Sequence, residues 1–172
     1  MLSFLVKNKQ SGFTLIEAVI YMALLATLLL ALSGFYGLVL NSRVKAQTIS
    51  EVEQQGTQIV QVISQSIRNA TAINSPTIGS NAASLSIAVV SAPQSPTIFD
   101  LSAGALHIKE GASAPVDLSN NRVLISNLVF YNLSRASTEG IISFQFTVTR
   151  VNNSGRNELD YTKTFYASAA LR

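Results

Sequence analysis

The stretch Phe13–Leu40 is apolar with Glu17 as its only charge, and no other feature constrains this chain as strongly. Twenty apolar residues rising about 1.5 Å each cross a hydrocarbon core of ~30 Å, so the stretch exceeds what a membrane span requires. Lys7 and Lys9 precede it, and Arg43 and Lys45 follow. That count is nearly balanced, which leaves orientation to the short N-terminus, easily kept in the cytoplasm. The expectation is a single pass with the N-terminus inside and the remainder outside. A secretory signal peptide also begins with positive residues, and "LLALSGFYG" imitates a cleavage site around Ala31–Gly34. The apolar core of such a peptide is shorter, however, and is followed by unrelated sequence.

Glu17 needs a reason, because an ionisable group costs on the order of 2.5–3.5 kcal/mol at the centre of a membrane helix and less near its end. In a low-dielectric surrounding the carboxylate gains most by pairing with a cation. Its place near the helix start also permits simple snorkelling to the interface.

A chain of 172 residues has room for one modest domain besides this segment. Its hydrophobic fraction of 48% is high for a globular protein, but the apolar segment supplies much of the excess. The rest is rich in Ser, Thr, Asn and Gln. The formal charge of +3 is spread among interleaved acids and bases beyond the span, leaving no basic stripe of the kind that binds phosphates, so nucleic-acid binding is not expected. With no cysteine there are neither disulfides nor thiolate metal ligands.

After Leu40 the helical pattern continues with Val44, Val52, Ile59, Val62, Ile63 and Ile67 at helical spacings among polar residues. This is the pattern of an amphipathic helix laid against something. With no proline from Met1 to Ser75, one helix is expected from about Thr14 to Ala70, weakened at Gly34, Gly37 and Gly56 by about 1 kcal/mol each relative to alanine. "NATAINSPTIGSNAAS" should end it. Strand-like pieces follow at Leu85–Val90, Thr97–Leu101, Ala105–Lys109, Arg122–Ile125, Leu128–Leu133, Ile141–Val151 and Leu159–Ala167, with "NNSGRN" as a hairpin turn between the last two. An antiparallel sheet laid on the apolar stripe of the helix buries both, giving an α+β head.

Residues that carry chemistry are sparse. His107 is the only histidine, and its alternation with Leu106 and Ile108 suggests a solvent-facing strand position. The acids Asp100, Glu110, Asp117, Glu139, Glu158 and Asp160 are scattered, and no serine elbow, phosphate loop or dinucleotide fingerprint occurs. "NNSGRNELD" offers oxygen ligands without the spacing of a calcium loop. Asn69, Asn132 and Asn152 head triplets of the N-glycosylation type, to which no function is assigned. No catalytic, cofactor-binding or metal-ligating residue is therefore expected, and the aromatic residues belong to a core.

A short basic leader, "MLSFLVKNKQSG", then "FTLIE", then a long apolar helix, resembles the N-terminus of type IV pilins and of the pseudopilins of type II secretion. Gly12, Phe13, Thr14, Leu15, Ile16 and Glu17 match that motif at each position. The resemblance implies cleavage after Gly12 by a prepilin peptidase and methylation of the new N-terminal residue, Phe13. It also implies that Glu17 pairs with the N-terminal amine of a neighbouring subunit during assembly. The domains it suggests are a cytoplasmic leader at 1–12, a transmembrane and assembly helix at 13–40, and a pilin-like extracytoplasmic head at 41–172, with the amphipathic helix at about 41–70 and the sheet at about 84–170. Partners would be other pilin or pseudopilin subunits, the peptidase, the inner-membrane assembly platform and, before assembly, membrane lipid.

The helix ending "IVQVISQSIRNATAI" and the later "ISNLVFYNLS" are similar to J-type minor pseudopilins and W-type minor pilins. The chain departs from many family members in lacking both a proline near Gly34 and a disulfide-closed loop. The expected role is a non-enzymatic minor subunit that initiates or caps a filament. A major filament subunit and a membrane-anchored binding domain that never polymerises are the alternatives.

Overall fold

The computed structural model describes residues 12–172, and the leader up to Ser11, with Lys7 and Lys9, lies outside the described residues. The chain divides into two units, one ending at Ser42 and the other running from Arg43 to Arg172. A single helix, α1 (Leu15–Arg68), contributes to both.

In the first unit, residues 15–40 of α1 bury no side chain, and the large apolar ones, from Leu15 and Leu30 to Phe35 and Leu38, are exposed all round the helix. A helix that is hydrophobic on every face belongs in an apolar surrounding. Its backbone is satisfied internally, as lipid demands. The hydroxyls of Thr27 and Ser33 donate back to the carbonyls of Leu24 and Leu30 at 2.8 and 3.0 Å, so neither needs water. By length and composition this is a helix able to cross a membrane.

The second unit is α+β. From Arg43 onward α1 turns amphipathic, burying Thr48, Val52, Gly56, Ile59, Ile63, Ser64 and Ile67 along one stripe. The helix ends at Arg68, where Asn69 N–H closes on the Gln65 carbonyl.

Among the described residues nine antiparallel strands follow: β1 (Ala70–Ser75), β2 (Asn81–Ala82), β3 (Leu85–Val89), β4 (Thr97–Ser102), β5 (Ala105–Glu110), β6 (Val116–Asp117), β7 (Val123–Asn132), β8 (Ile141–Arg150) and β9 (Thr162–Ala170). They form two sheets, of order β1-β3-β4-β5-β6 and β2-β7-β8-β9. One core joins Val52, Ile59, Ile63 and Ile67 of the helix to Leu85, Ile87, Phe99 and Leu106 of the first sheet and to Ile125, Phe130, Phe144 and Phe146 of the second. Across the second sheet the rings of Phe130, Phe144, Phe146 and Phe165 run in a row, with neighbouring centroids 5.9, 6.5 and 5.5 Å apart.

The helix is fastened to this sheet by polar contacts along its flanks. Lys45 Nζ donates to the carbonyls of Asn157 and Asp160, Glu51 meets Arg122 and Arg150 at 3.6 and 3.5 Å, and Lys163 Nζ meets Glu53 at 2.8 Å.

The architecture expected from the pattern holds, and three local expectations do not. The segment 70–75, expected to be a helix-breaking loop, is a strand paired with β3, its register slipping twice. Pairing with β3 overrides a composition that reads as turn-forming, as tertiary context does for weak strand formers. The pieces Arg122–Ile125 and Leu128–Leu133 are one strand, β7. Its ladder with β8 is irregular between Ser126 and Val129, where Asn127 takes a φ of +53°. Buried positions change from Val123 and Ile125 to Leu128 and Phe130, so one extra residue reverses the alternation and makes a continuous strand look like two.

The third difference lies between β8 and β9. "NNSGRN" is part of a longer connection that includes a 3-10 turn at Asn157–Leu159, and β9 starts at Thr162 rather than Leu159. Asn152 braces that connection. Its amide donates to the Arg156 carbonyl at 3.0 Å and to Asp160 Oδ1 at 2.6 Å, while its own oxygen accepts from the backbone N–H and hydroxyl of Ser154.

Candidate functional site

Gly12, Phe13 and Thr14 precede the helix, and all three are exposed. Nothing lies within 4 Å of where a Cβ on Gly12 would stand. Gly12 and Phe13 thus lie on exposed, non-helical backbone ahead of α1.

Thr14 then starts the helix. Its carbonyl accepts from Ala18 N–H at 3.2 Å, and its hydroxyl oxygen accepts from Glu17 N–H at 3.4 Å. Thr14-x-x-Glu17 has the spacing of a capping box, in which a hydroxyl serves the third helical N–H and the glutamate reaches back to the cap. Only the first half forms here. The Glu17 carboxylate faces the other way along the helix and accepts from the Tyr21 phenol, 3.0 Å from Oε1. The Tyr21 ring in turn meets Phe13, with centroids 5.5 Å apart and planes tilted by 44°.

The arrangement gives Glu17 two local supports inside an otherwise apolar span. A negative charge in the first turn lies at the positive end of the helix dipole, and a hydrogen bond from the phenol occupies one oxygen. An ionised carboxylate has about four acceptor positions on its two oxygens. The phenol therefore leaves capacity for a cation. Neither Thr14 nor Tyr21 stands out in the apolar run, yet the T-x-x-E spacing and the one-turn spacing from Glu17 to Tyr21 are the patterns that reveal them.

His107 lies on the strand face opposite the buried Leu106, as the alternation suggests, and is partly covered there by two exposed carboxylates. It lies on β5 directly opposite Asp100 of β4 and Asp117 of β6. Its Nε2 is 2.9 Å from Asp117 Oδ1 and its Nδ1 is 3.6 Å from Asp100 Oδ1, which leaves the side chain 20% exposed. Strand pairing thus gathers three residues that the sequence separates. Among the described residues no group of three or more such side chains is arranged to hold a metal ion.

Asn132, which heads one glycosylation-type triplet, is buried. Its amide donates to the Pro76 carbonyl at 2.7 Å and its oxygen accepts from Ser134 N–H at 3.1 Å, so the nitrogen a glycan would use is occupied within the fold.

Residues 7–33 match the family model of the prokaryotic N-terminal methylation motif. No curated protein and no solved structure matches the chain. The matched region contains Gly12, Phe13, Thr14, Glu17 and Tyr21 and opens the membrane-length helix. The chain carries the N-terminal signal of type IV pilins and pseudopilins on a pilin-like α+β architecture.

Proposed function

We propose that this protein is a minor pilin or pseudopilin, a structural subunit that initiates or caps a type IV pilus or a secretion pseudopilus and performs no catalysis. In this reading a prepilin peptidase removes residues 1–12, Phe13 becomes the methylated N-terminal residue, and the helix 13–40 anchors the subunit in the inner membrane. The head, 41–172, lies outside the cytoplasm. The observation that carries the reading is the methylation motif at residues 7–33 opening a helix that is apolar on every face.

Glu17 is the assembly residue. Cleavage creates a cationic amine on Phe13, and a carboxylate held in lipid with spare acceptor capacity is the complement of such an amine on a neighbouring subunit. Partners are accordingly other pilin or pseudopilin subunits, with the peptidase and the inner-membrane assembly platform acting before the filament forms. The minor role is supported by the resemblance of the helix ending and of "ISNLVFYNLS" to J-type pseudopilins and W-type pilins. A major subunit would differ by its abundance.

Mass spectrometry of the mature N-terminus is the test. The expected result is a chain beginning at methylated Phe13, with Gly12→Arg retaining the whole leader. A chain beginning near Gly34, without the apolar segment, would replace this account with ordinary secretion. An uncut chain would indicate a membrane-anchored domain that never polymerises.

A further inference from the structure

Tyr21 lies one helical turn beyond Glu17, and its phenol is the side-chain donor that the carboxylate has among the described residues. A phenol in an apolar span is costly unless its hydroxyl finds a partner, and phenylalanine would supply the same ring without that demand. The hydroxyl here has a partner, and it is the one charged group of the span. The Tyr21 ring is engaged too, because Phe13 packs against it. Phenol, carboxylate and the ring of the residue that follows the cleavage site therefore form one cluster.

We infer that Tyr21 is a positioning residue for assembly. It anchors Oε1 of Glu17, selects the rotamer that points along the helix rather than back to the cap, and leaves the remaining acceptor positions for the N-terminal methylammonium of a second subunit. Its ring also orders Phe13, the residue that would bear the new amine. The inference rests on the pairing role proposed for Glu17, and its test separates the two.

The full-length mature protein is compared as wild type, Tyr21→Phe, Glu17→Gln and the double variant, in native membranes and in phospholipid vesicles. Infrared difference spectra against Glu17→Gln isolate the Glu17 carboxyl band. In Tyr21→Phe that band shifts, and an unchanged band overturns the inference whatever assembly does. Crosslinking to partner subunits measures incorporation. Tyr21→Phe lowers it about tenfold or more, the loss expected when one hydrogen bond to a charged group is removed. In the Glu17→Gln background the same change adds nothing.

An equal loss in both backgrounds would mean that the hydroxyl acts on a group other than Glu17, and the inference would fall. So would undiminished incorporation of Tyr21→Phe beside a clear loss in Glu17→Gln, which would leave the pairing role standing. If Glu17→Gln itself incorporates normally, the pairing role fails and the positioning role fails with it, while a shifted band would still establish the hydrogen bond.

Discussion

Gly56 of α1 faces Phe165 of β9 so closely that a methyl group built on it would stand 2.1 Å from the ring's Cζ. The glycine lets the helix descend onto the sheet, and the ring, stacked on Phe146 at 5.5 Å, fills the space above it. From sequence alone Gly56 is a weak point of the helix. Its packing shows what the weakness permits.

Gly56→Ala should therefore destabilise the head although alanine is the better helix former. Overpacking costs typically about 1–3 kcal/mol, against roughly 1 kcal/mol gained in helix propensity. The melting temperature should fall, and a smaller residue at position 165 in the same chain should recover part of the loss. A rise in melting temperature on Gly56→Ala would show that Phe165 swings aside freely.

The residues from Arg43 to Arg172 should fold without the membrane segment. They make up one compact unit, and the helical stripe from Thr48 to Ile67 finds its partners within it. Burial of such a stripe stabilises most helices in proteins. The expected outcome is a soluble fragment with a single cooperative melt. An aggregated or molten product would mean that the head folds only against partner subunits.

The ion pair between Glu53 and Lys163 predicts a pH profile. Their hydrogen bond, helped by the opposite charges, holds Glu53 below its ordinary 4.5 and Lys163 above its ordinary 10.5. Glu53 contributes fully above its ordinary value, and the contribution fades as pH falls through the depressed one. Lys163 contributes fully below its ordinary value, and that share fades as pH rises through the raised one. Both side chains are 40% exposed or more, so the effect is small and screened by salt. The difference in melting temperature between wild type and Glu53→Gln should be greatest from about pH 5 to about pH 10 and should close on either side.

Asn132→Ala should cost the head about 1–3 kcal/mol, because it leaves the buried carbonyl of Pro76 without its donor. Chemical denaturation of the Arg43–Arg172 fragment measures this directly. A change below about 0.5 kcal/mol would place water on that carbonyl instead.

Glu17→Gln should still insert and still be cut after Gly12, since an amide costs less in lipid and cleavage reads the glycine. Incorporation should fall at least about tenfold, given that a charge-assisted contact in a low-dielectric setting is worth a few kcal/mol when one partner is removed. Crosslinking in matched membranes reads the outcome. Full incorporation would mean that the head alone recruits the subunit.

What the sequence made legible is what is written in period. The apolar run and the stripe from Val52 to Ile67 announce α1, and the alternation in Phe144, Phe146 and Val148 announces β8. What it hid depends on long-range pairing. β1 is a strand because β3 lies beside it, and the bulge in β7 reverses the alternation that would have identified one long strand. The face of His107 was readable from alternation, but its two carboxylate neighbours were not, because they arrive from other strands. Around Glu17 the cleavage motif was readable as a resemblance, whereas the contact with Tyr21 required knowing which way the carboxylate turns.

Among the described residues β9 ends its sheet with no strand beyond it, and an open edge of that kind invites sideways accretion between copies. Lys163 sits on that strand on the core-facing side, with its ammonium tied to Glu53 and 5.4 Å from the centre of the Phe165 ring. A foreign strand seeking to extend the sheet would have to seal that charge beneath it. The contact that fastens the helix thus also guards the margin of the sheet against strand addition.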